Sequence, residues 1–296
     1  MNHARLFSFL SLLIAIIAGA SGCATFRKME IGTANLAFSA KDESNIGTEY
    51  SQQLAKEYQF VNDEYVQNWV RGLGAKLVAT SPPCPQTFTF NVTTSPEVNA
   101  FAIPGGFCYV NAGLINQADT EAEVAAVVGH EINHVTQRHG MRSMQRALGL
   151  DILNQLANID PRSAAAAQVI SGPGGLVAMR GFGRQDEREA DFYGVEAMYK
   201  AGYDPRFAVT FFEKLRAGEQ SGSSMFSRAL STHPATQERI DNINKQIAQY
   251  DFSKPLVSDS KEFQEVKRRI RLLIPPAAAS PDSGEKKGQS FRRRSP

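Results

Sequence analysis

The stretch "TEAEVAAVVGHEINHVTQRH", residues 120 to 139, constrains the fold more than any other part of the chain. Its apolar residues recur every three or four positions, which is the period of a helix with one buried face. Thr120 and Glu123 have capping-box spacing, and Gly140 stands where a left-handed residue would close the helix. The sequence therefore predicts one helix from 120 to 139, with an apolar stripe of Val124, Val127, Val128, Ile132 and Val135.

This predicted helix carries three of the five histidines of the chain. His130 and His134 are four positions apart, so their directions differ by about 40° and both rings can bind one ion. Glu131 lies about 100° around the helix, where its carboxylate can face a metal-bound water without binding the metal. Such H-E-x-x-H spacing is typical of zinc peptidases, in which the glutamate takes a proton as water attacks a peptide carbonyl. The alternative is a polar turn of an ordinary helix.

The third histidine, His139, is not expected to bind the same metal. It lies nine residues after His130, which places it about 180° away on a continuous helix. The metzincin pattern avoids this problem with a glycine and a later histidine, but the chain has Gln137 and Gly140 at those two positions. We therefore expect His139 to cap carbonyls or to face the dipole at the helix C-terminus.

A third metal ligand is predicted in "DEREAD", residues 186 to 191. Glu187 and Asp191 are four residues apart on one helical face, whereas Glu189 points about 200° away from Glu187. Glu187 can complete the three protein ligands of a catalytic zinc. Asp191 can accept the second ring N–H of a zinc-bound histidine. A solvated helix face is the alternative for such a charged run.

The remaining patterns predict an α+β domain that is mostly helical, with a small antiparallel sheet beside the histidine-bearing helix. Residues 62–79 have helical spacing, with Asn62 or Asp63 as the cap. Residues 87–92 alternate like a strand, and residues 99–113 contain two apolar runs around a Pro-Gly-Gly turn. Further helices are predicted within residues 141–171 and in the runs that begin at residues 184, 205 and 231.

The N-terminus has the layout of a secretory signal: a basic start, an apolar run from Leu6 to Ile17, and small residues before Cys23. The apolar run is short for a bilayer span, which needs about 20 residues. Because "ASGC" resembles a lipobox, residues 1–22 are predicted to be a lipoprotein signal peptide and Cys23 the lipidated residue. Plain secretion is the alternative. Ala24 resembles outer-membrane lipoproteins of Gram-negative bacteria, which implies a lipid-anchored protein on the periplasmic face.

We predict a lipid-proximal linker at 23–44, a catalytic domain at 45–274 and a disordered basic tail at 275–296.

Charge and cysteine content limit the possible partners and covalent links. A net charge of +2 does not suggest a nucleic-acid partner. Cys84 and Cys108 form an even pair in an oxidising compartment, so they are expected either to form a disulfide or to remain two separate thiols.

Four motifs in order resemble the HtpX and CAAX-prenyl-protease type of gluzincin metallopeptidase: "NAFAIPGG", "VVGHEINHVTQRHG", "EREAD" and "STHPATQERI". The resemblance covers roughly residues 45 to 250. It implies a zincin-like fold and a single Zn²⁺ per chain, bound by His130, His134 and Glu187. It also implies Glu131 as general base, and a loop around His233 close to the site.

Within that family the chain is most similar to the bacterial periplasmic branch, which acts in outer-membrane protein quality control. The resemblance therefore implies unfolded or misassembled envelope proteins as substrates, with the outer-membrane assembly machinery as a candidate partner. Hydrophobic spans between the motifs are missing, so prenylated or membrane-buried substrates are not implied. A long helical-repeat extension has no counterpart in the sequence, so recruitment to the assembly machinery is not carried over.

His233 has three alternative roles. It can be a polar residue at a helix entrance, since Pro234 follows it. It can stabilise the tetrahedral oxyanion, as can Arg239. It can also occupy the fourth zinc position and keep the enzyme quiescent. Separately, the strand in "GGFCYVNAG" is expected to offer an edge to which substrate adds as an extended strand.

The favoured hypothesis is a zinc-dependent endopeptidase that cleaves misfolded or stalled envelope proteins. The alternative is a latent or chaperone-like zinc-binding lipoprotein that mainly binds such proteins. The third hypothesis is a lipoprotein scaffold in which the H-E-x-x-H motif occurs by chance.

Overall fold

The computed structural model describes residue 36, residues 38–147 and residues 182–274. Several predictions fall outside this part of the chain: the signal peptide at 1–22, Cys23, the tail at 275–296 and most of the helices expected within 141–171. The described residues belong to one compact unit, Leu36–Pro296. None of the described helices has both the length and the apolar character needed to cross a bilayer.

Helices make up most of the described structure, together with a three-stranded sheet, as the predicted α+β class requires. We number the strands β1 (Thr89–Thr93), β2 (Ala100–Ile103) and β3 (Phe107–Asn111). The helices are α1 (Ala40–Glu57), α2 (Glu64–Val78), α3 (Ala112–Gln117), α4 (Glu121–Thr136), α5 (His139–Ala147), α6 (Arg184–Lys200), α7 (Arg206–Gln220), α8 (Ser227–Thr232), α9 (Gln237–Ile247) and α10 (Lys261–Leu273), and a short 3₁₀ turn at Ser224–Phe226 precedes α8.

The sheet is mixed rather than antiparallel. Strands β2 and β3 form the predicted antiparallel hairpin, and its turn uses Gly105 and Gly106 with φ values of 85° and 91°. Strand β1, however, pairs in parallel with β3, so the order is β1-β3-β2. The prediction of an antiparallel sheet was wrong for this pair because alternation of apolar residues reveals a strand but not its neighbour. As the central strand, β3 cannot offer the predicted substrate edge; β2 lies at an edge.

Helix α1 begins inside the segment predicted to be a linker. The helix begins at Ala40 and is capped by a capping box, in which Ser39 Oγ accepts from Asp42 N–H at 3.2 Å. The buried Tyr50 and Leu54 of α1 pack against Tyr109 on one face of the sheet. The folded domain therefore starts several residues before the predicted boundary at residue 45.

Helix α2 confirms the sequence prediction closely, because Asp63 caps it and accepts from Tyr65 N–H at 2.9 Å. Its apolar face enters the main core, where the rings of Trp69 and Phe263 lie 5.4 Å apart. Cys108 is buried in β3 and Cys84 is half-buried, and both are free thiols. The disulfide considered from the sequence is not formed in this structure.

Helix α4 ends earlier than predicted. It stops at Thr136, and the left-handed residue is Arg138 (φ 56°) rather than Gly140, which lies inside α5. A non-glycine residue rarely adopts this conformation, so it needs support from its surroundings. Here the Arg138 side chain donates to Glu43 Oε2 at 2.7 Å and to the Phe38 carbonyl at 2.8 Å. The turn that starts α5 is therefore held by the first turn of α1 and by Phe38, which precedes it.

Candidate metal centre

Two helices and one loop bring four potential ligands together. His130, His134, Glu187 and His233 each offer one donor atom, and these four atoms lie within 4.8 Å of one another. The Nε2 atoms of His130 and His134 are 2.9 Å apart. The Glu187 carboxylate on α6 lies 3.6 Å from each of these nitrogens, through Oε2 to His130 and Oε1 to His134. The three ligands predicted from the sequence therefore meet at one point.

His233 belongs to the same cluster. It follows the last residue of α8, and its Nδ1 lies 3.3 Å from His130 Nε2 and 2.8 Å from Glu187 Oε1. Its other ring nitrogen, Nε2, is 3.5 Å from Glu131 Oε1. Helix α9 is capped by Thr236 rather than opened by Pro234, so the helix-entrance interpretation of His233 was wrong.

The cluster fits a tetrahedral metal ion. Zinc takes nitrogen and carboxylate oxygen donors at about 2.0–2.2 Å, which puts the donor atoms of a tetrahedral shell about 3.3–3.6 Å apart. Five distances between donor atoms, 2.8 to 3.6 Å, lie close to this range, and all four donor atoms lie within 4.8 Å of one another. Two imidazoles and a buried carboxylate, with a third imidazole beside them, are also donors that zinc takes.

Asp191 lies directly behind His130, as the sequence predicted. Its Oδ1 is 3.0 Å from His130 Nδ1. Both carboxylate oxygens also accept from Arg239, through Nε and Nη2 at 2.7 Å each. Burial alone would raise the pKa of Asp191, but the charge and hydrogen bonds of Arg239, together with His130, hold it well below its usual range. Asp191 is therefore a carboxylate that can orient the His130 ring.

The guanidinium of Arg239 is buried on α9 and is fully engaged. Besides the two bonds to Asp191, its Nη1 donates to the Pro234 carbonyl at 2.9 Å and lies 2.8 Å from Glu187 Oε2. This arrangement ties the carboxylates of α6 to the loop that carries His233. A position suited to binding a substrate oxygen is not evident, because every guanidinium nitrogen already has a partner.

Glu131 lies between the cluster and the sheet. Its Oε2 accepts from the Ala102 N–H of edge strand β2 at 3.1 Å, which leaves Oε1 on the side of His233. Burial raises the pKa of Glu131, although the positive charges of His233 and His130 act in the opposite direction. Burial would lower the pKa of His233, but the carboxylates of Glu187 and Glu131 outweigh it and raise that pKa.

His139 has a role that sequence reasoning missed. Its Nδ1 lies 2.8 Å from His134 Nδ1, and its Nε2 lies 3.0 Å from Glu189 Oε2. The expectation that it would cap the end of α4 was wrong, because the break at Arg138 turns the His139 ring beneath His134. Burial lowers the pKa of His139, despite the opposing effect of its hydrogen bond with Glu189. Spacing places Glu189 on the far side of its helix from Glu187, so the sequence offered no signal that its carboxylate is buried against His139.

A small apolar cavity opens beside the cluster. Its volume is ≈ 60 Å³, and His130, Glu131 and His233 form one wall. The other walls come mostly from α4, α6, α7 and α9, including Val127, Val195, Phe211, Leu215 and Ile243. A second cleft runs between β2 and the segment 228–233 on the other side of Glu131. The cluster therefore lies between this cleft and the apolar cavity.

Similarities to known proteins agree with this geometry. Residues 62–247 match peptidase family M48. The chain is 32% identical over 242 residues to the beta-barrel assembly-enhancing protease of Escherichia coli K12, which covers 79% of this chain and 49% of that protein. It is 31% identical over 210 residues to the mitochondrial metalloendopeptidase OMA1 of Arabidopsis thaliana, covering 71% of this chain and 41% of that protein.

A shorter relative matches a smaller part of the chain. The metalloprotease LoiP of Escherichia coli K12 is 33% identical over 173 residues, which covers 55% of this chain and 64% of LoiP. By contrast, the chain spans about half the length of the beta-barrel assembly-enhancing proteases that it matches. The M48 match extends from the cap region of α2 to the last residue of α9 and includes all four clustered residues. The resemblance found in the sequence is confirmed: the chain belongs to peptidase family M48.

Proposed function

We propose that this protein is a zinc-dependent endopeptidase in which His130, His134 and Glu187 hold one Zn²⁺. The observation that carries the proposal is the convergence of these three side chains beside the Glu131 carboxylate. Two neutral imidazoles and one carboxylate are a donor set of catalytic zinc. Zinc content and casein hydrolysis of the wild type, beside Glu131→Gln, would test it. A protein without bound zinc would contradict the proposal.

Bound zinc would polarise a carbonyl and lower the pKa of water to about 7. Glu131 then acts as general base: its Oε1 takes the proton as water attacks the peptide carbonyl, and later delivers it to the departing amine. The Ala102 N–H holds the other oxygen of Glu131 in place. A raised pKa suits a group that must both accept and return a proton near neutral pH.

His233 is proposed to act as a fourth donor that keeps the resting enzyme inactive. Its Nδ1 is as close to His130 Nε2 as a tetrahedral zinc shell requires, which supports this role over the helix-entrance role. Substrate would have to displace the His233 ring from the metal. The displaced imidazole would then lie where it can face the oxyanion of the tetrahedral intermediate. Arg239 is proposed to be a positioning residue rather than an oxyanion ligand, because Asp191, Glu187 and the Pro234 carbonyl occupy its guanidinium.

The substrate is proposed to bind as an extended segment along β2. This strand pairs only with β3 among the described strands, and its Ala102 contacts Glu131. Binding to a strand edge uses mainly backbone hydrogen bonds, so it favours unfolded chains over particular sequences. The apolar cavity beside His130 is proposed to hold one aliphatic side chain, because ≈ 60 Å³ is less than half of the ~150 Å³ cavity that binds benzene.

We place this activity in the cell envelope. The signal-like N-terminus and Cys23 support a lipid anchor on the periplasmic face of the outer membrane. The name of the beta-barrel assembly-enhancing protease supports envelope proteins as substrates and the assembly machinery as a partner, and the name of the metalloprotease LoiP supports metal-dependent proteolysis. Misfolded or stalled envelope proteins are the substrates that we propose. A second candidate is a latent, chaperone-like binding protein, which the four-donor cluster favours. Casein binding without hydrolysis, by both wild type and His233→Ala, would support it.

A further inference from the structure

We propose that His139 and Glu189 form a buried relay that sets the ring orientation and tautomer of His134, and thereby the affinity of the site for zinc. The inference rests on the proposed metal site, but it concerns residues outside the ligand set. His139 is fully buried and Glu189 is 1% exposed, so neither touches solvent or substrate. Both are therefore positioning residues.

The relay exists because α4 is interrupted. On a continuous helix, residues five apart differ in direction by about 140°, so the rings of His134 and His139 would point apart. The left-handed Arg138 lies between the end of α4 at Thr136 and the start of α5 at His139, and the change of direction brings the two Nδ1 atoms to 2.8 Å. The bonds from Arg138 to Glu43 and Phe38 hold this turn. A residue with a strained backbone conformation is thus maintained four positions after a proposed ligand.

Hydrogen-bond directions follow from the metal-facing nitrogen. If Nε2 of His134 gives its lone pair to the metal, Nδ1 must carry the proton and donate it. The acceptor is then Nδ1 of His139, so the proton of His139 resides on Nε2, which donates to Glu189 Oε2. Glu189 accepts two more bonds, from Arg142 at 2.6 Å and Gln185 at 3.0 Å, so its position is well determined.

The two histidines of the motif are thus supported differently. His130 has a carboxylate, Asp191, directly at its Nδ1, at 3.0 Å. His134 reaches its carboxylate, Glu189, through one intervening imidazole. Substitution of a group that orients a metal-bound histidine typically weakens metal affinity by about 10–100-fold. We expect the imidazole of His139 to affect zinc affinity by a similar factor, although it contacts the ligand His134 and not the metal.

The first test measures zinc affinity by competition with a chromophoric chelator. We expect His139→Ala and Glu189→Gln to weaken zinc binding by about 10–100-fold. Tyr203→Phe is the matched control, since it removes a buried hydrogen bond to Glu121 (2.7 Å) far from the relay. Its zinc affinity should equal that of the wild type. Equal affinity in both relay variants and the control would overturn the proposal.

A second measurement keeps the proposal testable if His139→Ala does not fold. Long-range ¹H–¹⁵N spectra of the zinc-loaded wild type report which ring nitrogen is protonated. The relay requires a protonated Nδ1 on His134 and, on His139, a protonated Nε2 with a bare Nδ1. The opposite tautomer on either ring would exclude the relay. Failure of the proposed function looks different: the wild type would bind zinc with these tautomers but would not cleave casein.

Discussion

Gly129 on α4 and Gly194 on α6 meet where the two helices cross. A Cβ placed on Gly194 would lie 3.0 Å from the backbone nitrogen of His130, and one on Gly129 would lie 3.2 Å from the Gly194 carbonyl oxygen. The missing side chains let the helices approach closely. This contact sets the distance between His130 and Glu187, so the metal cluster depends on two residues that have no functional groups.

Gly194→Ala should therefore damage the site from a distance. The added methyl has backbone as its neighbour, so the helices must move apart, at a cost of about 1–3 kcal/mol in the free energy of unfolding. Zinc content should fall with it. Gly72→Ala on α2 is the control, because its Cβ would meet nothing within 4 Å. That control should gain about 0.5–1 kcal/mol from helix propensity. Normal zinc binding by Gly194→Ala would refute this account of the crossing.

Glu131→Gln should retain zinc and lose hydrolysis. The amide keeps an oxygen for the Ala102 N–H but cannot take a proton, so kcat on casein should drop by about 10²–10⁴-fold. Metal analysis of the same preparation provides the control. Cleavage at the wild-type rate would show that Glu131 is not the base.

His233→Ala should increase casein hydrolysis while zinc content stays the same. His130, His134 and Glu187 remain as three ligands, and loss of the fourth donor opens a position for water and substrate. Initial rates at saturating and limiting substrate separate the two roles. A large fall in kcat with unchanged KM would instead indicate that His233 stabilises the transition state.

Leu215→Ala should change which side chain the enzyme prefers next to the cleaved bond. Leu215 is a buried wall of the cavity beside His130, so its truncation adds room. Peptides with Phe at the subsite should gain relative to those with Leu, as read from the ratio of their kcat/KM values. A stability loss of about 2–5 kcal/mol should accompany this change. Leu272→Ala alters an exposed leucine and should change neither property.

Glu189 should make stability depend on acid pH. Burial opposes ionisation, but the bonds from His139, Arg142 and Gln185 lower the pKa of Glu189 from 4.5 to about 2. A lowered folded-state pKa stabilises the protein above the ordinary value, and this contribution disappears as pH falls from about 4.5 towards 2. In urea unfolding of the metal-free protein, the gap between wild type and Glu189→Gln should narrow across this range. A constant gap would contradict the proposed ion pairing.

Local features of the chain were predictable because local backbone geometry decides them. Spacings within a few residues predict three of these features: the capping of α2 by Asp63, the β2-β3 hairpin, and the shared face of His130 and His134. The prediction that Glu187 binds the same metal as these histidines rested on the spacing of Glu187 and Asp191 and on the family resemblance. No contact between distant segments had to be known for these predictions.

Tertiary packing decided what spacing could not. Strand order depends on contacts between segments that are not neighbours in sequence, so only the fold places β3 at the centre and β2 beside Glu131. His139 approaches His134 because Glu43 and Phe38, nearly a hundred residues earlier in the chain, hold Arg138 in a left-handed turn. In such contacts the cost of backbone strain is offset by burial and by hydrogen bonds to distant parts of the domain. The periodic pattern within one helix carries no information about these distant partners.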